Sequence, residues 1–383
     1  MTWPESGASR RHRLARRGLA VAAAAAALAA AVLLPGDSAT APAPAPPVAG
    51  AEHVREPPGQ GAGGPVRPLL GTHYSHVAHP RCRMDGGGIV ATRTGHATRA
   101  QVVQQLRSMR ERGVDSLRII LWHMHDPSGH TWGVVASAGG RLHEPDRSNL
   151  VHYLRAVREA GFDRLTITFS PQWTNSPFEP NYDRRLLEEN WSWVRDVRAV
   201  AVEHGPAQVR FDLLNEGGAS DYLPPRRFAD LRSYVATLYG RYADEFGTRD
   251  VTVSTIASLG PHDRGNRLRN LVSTLRSTGR PLPRWFDVHL NVDGPTARHG
   301  LDDSVRVLDR QGLPQPLVIG EAPHGDPAVA RALAGSPALE RVEEVLQWVD
   351  RPGDTCPRSP PYSVASYRDA LAVVPPAALA PSG

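Results

Sequence analysis

The chain has 383 residues, enough for one large domain or two small ones. Glycine and proline contribute 35 residues each without a collagen-like period. A composition of 40% hydrophobic and 22% charged residues supports a globular core and excludes wholesale disorder. The formal charge of +5 does not signal a nucleic-acid partner: Arg10, Arg11, Arg13, Arg16 and Arg17 against Glu5 account for +4, leaving about +1 for everything after them.

The basic start leads into an unbroken apolar run over 18–34, dominated by alanine, and small residues follow at Ser38-Ala39-Thr40-Ala41. That order reads as a secretory signal peptide or an uncleaved signal anchor over 1–41. Residues 42–68, rich in alanine, proline and glycine with no apolar period, read as a disordered linker. The expected location is therefore extracellular, or anchored at the outer face of the cell membrane. Export puts Cys82 and Cys356 in an oxidising compartment, where a Cys82–Cys356 disulfide is expected, two unpaired thiols being the other reading.

From residue 69 onward, short apolar runs alternate with amphipathic stretches. Strands are predicted at 68–71, 116–122, 164–169, 209–214, 251–255, 285–290, 316–319 and 345–348. The first helix, opened by Thr98 and stopped by Gly113, puts Val102, Val103, Leu106 and Met109 on one face. Further helices are predicted at 148–160, 186–203, 227–246, 267–277, 301–310, 339–344 and 363–373. Eight strand–helix units over roughly 300 residues fit an α/β fold, a single (β/α)8 TIM barrel over 69–373 with a short tail at 374–383. No glycine-rich phosphate-binding sequence follows the first strand, which weakens a nucleotide-binding alternative.

In such a barrel, polar residues at the C-terminal ends of the strands form the site. Glu216, in Phe211-Asp-Leu-Leu-Asn-Glu216, follows the fourth strand, and Glu321, in Leu317-Val-Ile-Gly-Glu321, follows the seventh. One strand-end glutamate is usually a solvated loop charge. Two on opposed strands suit glycoside cleavage, in which one carboxyl protonates the leaving oxygen and the other attacks the anomeric carbon.

These motifs resemble those of the retaining glycoside hydrolases of the clan A barrels, closest in style to the family 5 cellulase-like enzymes. The resemblance implies that Asn215 holds a sugar 2-hydroxyl, that Glu216 is the acid/base and that Glu321 is the nucleophile. Arg118, in Gly113-Val-Asp-Ser-Leu-Arg118, corresponds to the arginine that supports the nucleophile, and His289 to the sixth-strand histidine. Trp348 stands where the eighth strand offers a platform to the sugar. Two positions depart from the pattern: Asn291 stands where the family often has a tyrosine, and the third strand ends in Phe169-Ser-Pro171 rather than in histidine.

An arginine beside Glu321 would depress its pKa, while Glu216 should stay protonated until it delivers its proton. An inward-facing arginine in an apolar strand also needs a salt bridge for purely structural reasons. Trp122, Trp132, Trp173, Phe178 and Trp348 in strand-end positions offer apolar faces for sugar C–H groups, or ordinary packing. The expected function is thus an exported retaining hydrolase of a β-linked poly- or oligosaccharide. A monomer without cofactor or metal is expected. Two alternatives stay open: a metal-dependent hydrolase using His73, His123, His125, His289 and His324, and a barrel that binds glycan without cleaving it.

Overall fold

Eight parallel strands form the wall of a nearly closed circle. In chain order they are β1 (Leu69–His73), β2 (Ser116–Met124), β3 (Arg164–Pro171), β4 (Gln208–Asp212), β5 (Val251–Thr252, resumed as Ser254–Ile256), β6 (Phe286–His289), β7 (Leu317–Pro323) and β8 (Val342–Trp348). The chain is described by a computed structural model over residues 67–74, 76–77, 84–85, 89–91, 99–128, 133–257, 265–348 and 363–372. The predicted signal or anchor, the linker up to residue 66, Trp132, the Cys82–Cys356 pair and the tail lie outside these residues. Among the described residues no helix is long and apolar enough to cross a membrane.

Each strand pairs in parallel with its neighbours in the chain, and β8 pairs with β1. The fifth strand completes the circle in two segments. Val251–Thr252 pairs with β4, Ser254–Ile256 pairs with β6, and Val253 joins them. Between strands run α1 (Arg99–Glu111), α2 (Asp146–Glu159), α3 (Leu187–His204), α4 (Pro225–Phe246), α5 (Asn266–Arg276), α6 (Gly294–Arg310), α7 (Pro327–Ala334) and α8 (Ala365–Ala372). The predicted face of α1 is the one it buries: Val102, Val103, Leu106 and Met109. Leu117, Ile119 and Leu121 of β2 and Leu165, Ile167 and Phe169 of β3 join the apolar core with it, every second residue of each strand.

Several boundaries differ from those predicted, and local hydrogen bonds give the reason. No helix occupies 339–344. A 3-10 turn covers Pro337–Arg341, and β8 already begins at Val342. The helix of that unit is α7, which Asp326 opens by accepting the Ala328 and Val329 amides ahead of Pro327. Asp293 caps α6 by accepting from Thr296, so that helix starts at Gly294 rather than at 301. β4 ends at Asp212, two residues early, whereas β7 continues to Pro323.

Within the circle the alternate residues are not the branched aliphatics common in such barrels. Arg210 of β4 donates to Glu344 of β8 at 2.7 Å, and Arg164 of β3 donates to Glu343 at 3.1 Å. Further along the strands, Arg118, Asp212 and Asp287 are all fully buried. Charge is therefore built into the barrel interior as well as its mouth.

His123 sits elsewhere, stacked on Trp193 of α3 with ring centroids 4.1 Å apart and its Nε2 3.2 Å from Asn190 Oδ1. Burial pushes its pKa down to about 4. The folded imidazole stays neutral where the unfolded one takes a proton, so its contribution to stability is present above about pH 6.5 and is lost as pH falls toward 4. The loss attributable to this group is about 3 kcal/mol. Urea midpoints measured across that window should fall less steeply for His123→Gln than for the wild type; parallel curves would show that the histidine is not buried neutral.

Candidate active site

Six of the predicted site residues converge at the C-terminal end of the barrel. Glu216 lies four residues beyond the end of β4, in a loop whose glycines let it pass close to β5: a Cβ on Gly218 would sit 1.9 Å from Thr255 Oγ1. Its own backbone is left-handed, with φ +58. Glu321 lies inside β7 rather than after it, because the strand runs on to Pro323.

What aims Glu321 is a bulge. The β6–β7 register pairs Val288 with Ile319 and then His289 with Glu321, leaving Gly320 as an extra residue on β7. The bulged backbone presses on charge: a Cβ on Gly320 would lie 2.1 Å from both Arg118 Nη1 and Asp287 Oδ1, so no larger residue fits there. His73 of β1 holds the same peptide from the other side, its Nε2 2.9 Å from Gly320 O. Burial, with the Arg118 charge, keeps the His73 pKa well below the ordinary value, so its neutral ring donates to that carbonyl.

His289 stands between the two glutamates. Its Nδ1 is 3.1 Å from Glu216 Oε1 and 3.5 Å from Glu321 Oε2, while Arg118 Nη2 approaches Nε2 at 3.1 Å. An arginine can only donate, so Nε2 accepts and Nδ1 carries the hydrogen directed at Glu216. One oxygen from each carboxylate and Nδ1 of His289 all lie within 4.8 Å of one another. Asn291 also reaches Glu321, its Nδ2 donating to Oε2 at 2.5 Å.

Arg118 supports this arrangement from below, acting on Glu321 through its charge. The guanidinium does not hydrogen-bond Glu321. Nη1 donates to Asp287 at 2.8 Å, and Nη2 donates to Asp212 at 2.9 Å and to Asn215 Oδ1 at 3.2 Å. The structural salt bridge and the site function are thus one network. Asp212 and Asp287 were missed in the sequence, although Asp287 stands two residues before His289 and so shares its face of the strand.

The charge balance also differs from the expected one. Burial raises Glu321 above its usual range, despite the pull of His289 and Arg118 and the Asn291 hydrogen bond. Burial would raise Glu216 too, but the His289 hydrogen bond and the charges of Arg118 and Arg267 outweigh it and hold that carboxyl below its usual range. The physical reason is position: Glu321 is 4% exposed, whereas a third of the Glu216 side chain reaches solvent.

The aromatic residues line the rim. Trp348, at the end of β8, packs edge-on against His73 with centroids 4.6 Å apart. Trp122 is half-buried near the end of β2. Trp173 is half exposed, in the turn after β3, again with positive φ (+53). The loop histidines do not assemble with the carboxylates: His123 and His125 both turn to α3, His125 through Glu189 at 2.7 Å, and His324 lies in the turn after β7. Among the described residues, the three groups that could hold a metal ion are Glu216, His289 and Glu321.

Neither any protein-family model nor any curated protein matches the sequence. Solved structures similar to it include a mannosidase, a mannanase and an L-ribulose 3-epimerase. An exo-β-1,4-mannosidase from Opitutaceae bacterium strain TAV5 is 14% identical over 73% of this chain and 51% of its own, with a TM-score of 0.48. A β-1,4-D-mannanase from Cryptopygus antarcticus is 12% identical over 72% of this chain and 83% of its own, with a TM-score of 0.47. N2152 from Neocallimastix frontalis is 12% identical over 74% of this chain and 61% of its own, with a TM-score of 0.43. The chain thus spans about half of the mannosidase's length and 61% of that of N2152. The chemistry of the site has to be read from the residues themselves.

Gly320→Ala tests how tightly the bulge and the ion cluster are coupled. The added methyl group should break the Arg118–Asp287 contact and cost about 3–5 kcal/mol of stability, as loss of a buried charge partner does. A melting temperature equal to that of the wild type would mean that the bulge has room to move.

Proposed function

We propose that the chain is an exported retaining glycoside hydrolase acting on a β-linked poly- or oligosaccharide, with Glu216 as acid/base and Glu321 as nucleophile. The observation that carries this reading is the meeting of two carboxylates, from opposite walls of the barrel, with oxygens within 4.8 Å of each other. Oxygens this close support double displacement, for which the carboxyl groups stand about 5–5.5 Å apart. The basic and apolar N-terminus supports export.

In this mechanism Glu216 protonates the glycosidic oxygen while Glu321 attacks the anomeric carbon from the opposite face. Glu216 then takes a proton from the water that releases the sugar from Glu321. Asn291 occupies Oε2 of Glu321, which leaves Oε1 to attack. The amide of Asn215, whose Oδ1 is held by Arg118, offers its nitrogen to the sugar 2-hydroxyl. Trp348, Trp122 and Trp173 offer ring faces to the sugar units. A substrate seated over Glu216 adds to the burial that already pulls this carboxyl upward, which moves its pKa toward that of an acid catalyst.

The free-protein charge order, Glu216 below its usual range and Glu321 above, favours one second reading in which the two roles are exchanged. Azide separates them. With Glu216→Ala, azide should restore turnover and give a β-glycosyl azide, and substrates with activated leaving groups should be slowed least. Glu321→Ala should be inactive toward both kinds of leaving group, and Glu321→Gln should release no reducing ends from a glycan panel. An α-glycosyl azide from the Glu216 variant would exchange the roles. Unchanged rates in both variants would end the glycosidase reading.

The three-group cluster permits a check on the metal alternative. Dialysis against EDTA should leave the wild-type rate unchanged. A loss that a divalent ion restores would replace the double displacement with metal-assisted hydrolysis.

A further inference from the structure

Glu216 needs more than its carboxylate partner to be held in place. A residue with a side chain resists the left-handed region, and one that persists there is fixed by its surroundings. The fixing group is Ser254, on the neighbouring strand β5. Its Oγ accepts the Glu216 amide at 2.9 Å and donates to Leu214 O at 3.4 Å, so one hydroxyl grips the turn on both sides of Asn215. Gly217 lies flat on the same strand, where a Cβ would sit 2.7 Å from Val253 Cγ1.

Ser254 is itself tied to the ion cluster. The β4–β5 ladder stops at Thr252, and beyond it the Ser254 amide donates to the Asp212 side chain, to Oδ1 at 2.8 Å. The other oxygen of Asp212 receives Arg118 Nη2 at 2.9 Å, and the same nitrogen stands against His289 Nε2. Glu216 is therefore suspended at two points from one guanidinium. Its backbone hangs through Ser254 and Asp212, and its carboxylate hangs through His289. The end of β4 at Asp212 is what leaves the Ser254 amide to this carboxylate.

We propose that Ser254 is a positioning residue for Glu216: it touches no substrate, and it fixes the backbone from which the acid/base carboxyl is aimed. The inference rests on the reading of Glu216 as acid/base. A general acid matters most when the leaving group is poor, and small losses of aim are costly in rate. Weakened aim should therefore show as a dependence on leaving group, which a merely structural defect does not produce.

The probes are phenyl and 2,4-dinitrophenyl β-glycosides of cellobiose, mannobiose and xylobiose, assayed with the full chain. Relative to wild type, Ser254→Ala should lower kcat/KM about tenfold on the phenyl glycoside and less than twofold on the dinitrophenyl one. Ser254→Thr, which keeps the hydroxyl, should recover most of the loss. In a Glu216→Ala background, Ser254→Ala should add nothing. Equal losses on both leaving groups, a further loss in the Glu216→Ala background, or a Ser254→Ala enzyme equal to wild type on the phenyl glycoside would each overturn the positioning role while leaving the glycosidase reading intact. A Glu216→Ala enzyme indifferent to leaving group would withdraw both.

Discussion

One buried cation organises this protein. Arg118 has no exposed side-chain surface, and an arginine cannot shed its charge to escape burial. Two carboxylates from two other strands must therefore come to it, Asp212 from β4 and Asp287 from β6. That requirement fixes β2, β4 and β6 relative to one another at the level just beneath the site. β7 is drawn in by contact, since the Gly320 backbone lies against the same ion pair. Breaking such a cluster would leave an uncompensated charge in the interior, so the alternatives are all or nothing. Rigidity of this kind is what a site built from four strands needs.

The cluster also sets the charge of the mouth above it. Burial raises the Asp212 carboxyl against the pull of Arg118, and the neighbouring charge of Asp287 adds to the rise. His289 passes the arrangement upward by accepting from Arg118 and donating toward Glu216. The two glutamates thus sit in different surroundings, one sealed in β7 beside Asn291 and one partly open in a glycine-rich turn. A difference of environment between two carboxyls is the condition under which they take different roles.

Around this rigid centre the variable part of the site is loop. The turn bearing Trp173 is held by Asn175, which is fully buried and bonded to Glu189 and Asn190 of α3. An exposed indole on a fixed turn is a surface prepared for a partner with an apolar face. Barrels carry many chemistries by changing such loops over a constant wall, which is why the site and not the fold carries the functional reading here.

The alternation of apolar strands with amphipathic helices was enough to give the eight units, because a strand buried by helices and a helix buried on one side each leave a period in the sequence. It also marked Glu216 and Glu321, because polar residues at the ends of apolar runs stand out, whereas Asn215 and His289 came only with the family resemblance. Boundaries were less legible where capping aspartates and prolines decided them, as at Asp293 and Asp326. The partners of Arg118 were not legible at all. Asp212 and Asp287 lie 94 and 169 residues from it, and only closure of the barrel makes them neighbours. The same holds for the Gly320 bulge and for the grip of Ser254 on Glu216, since register between strands is set by the packing of the whole wall. The sequence determined which groups could do chemistry. Tertiary structure alone decided which of them meet, because distances between strands belong to the closed barrel and to no segment of the chain.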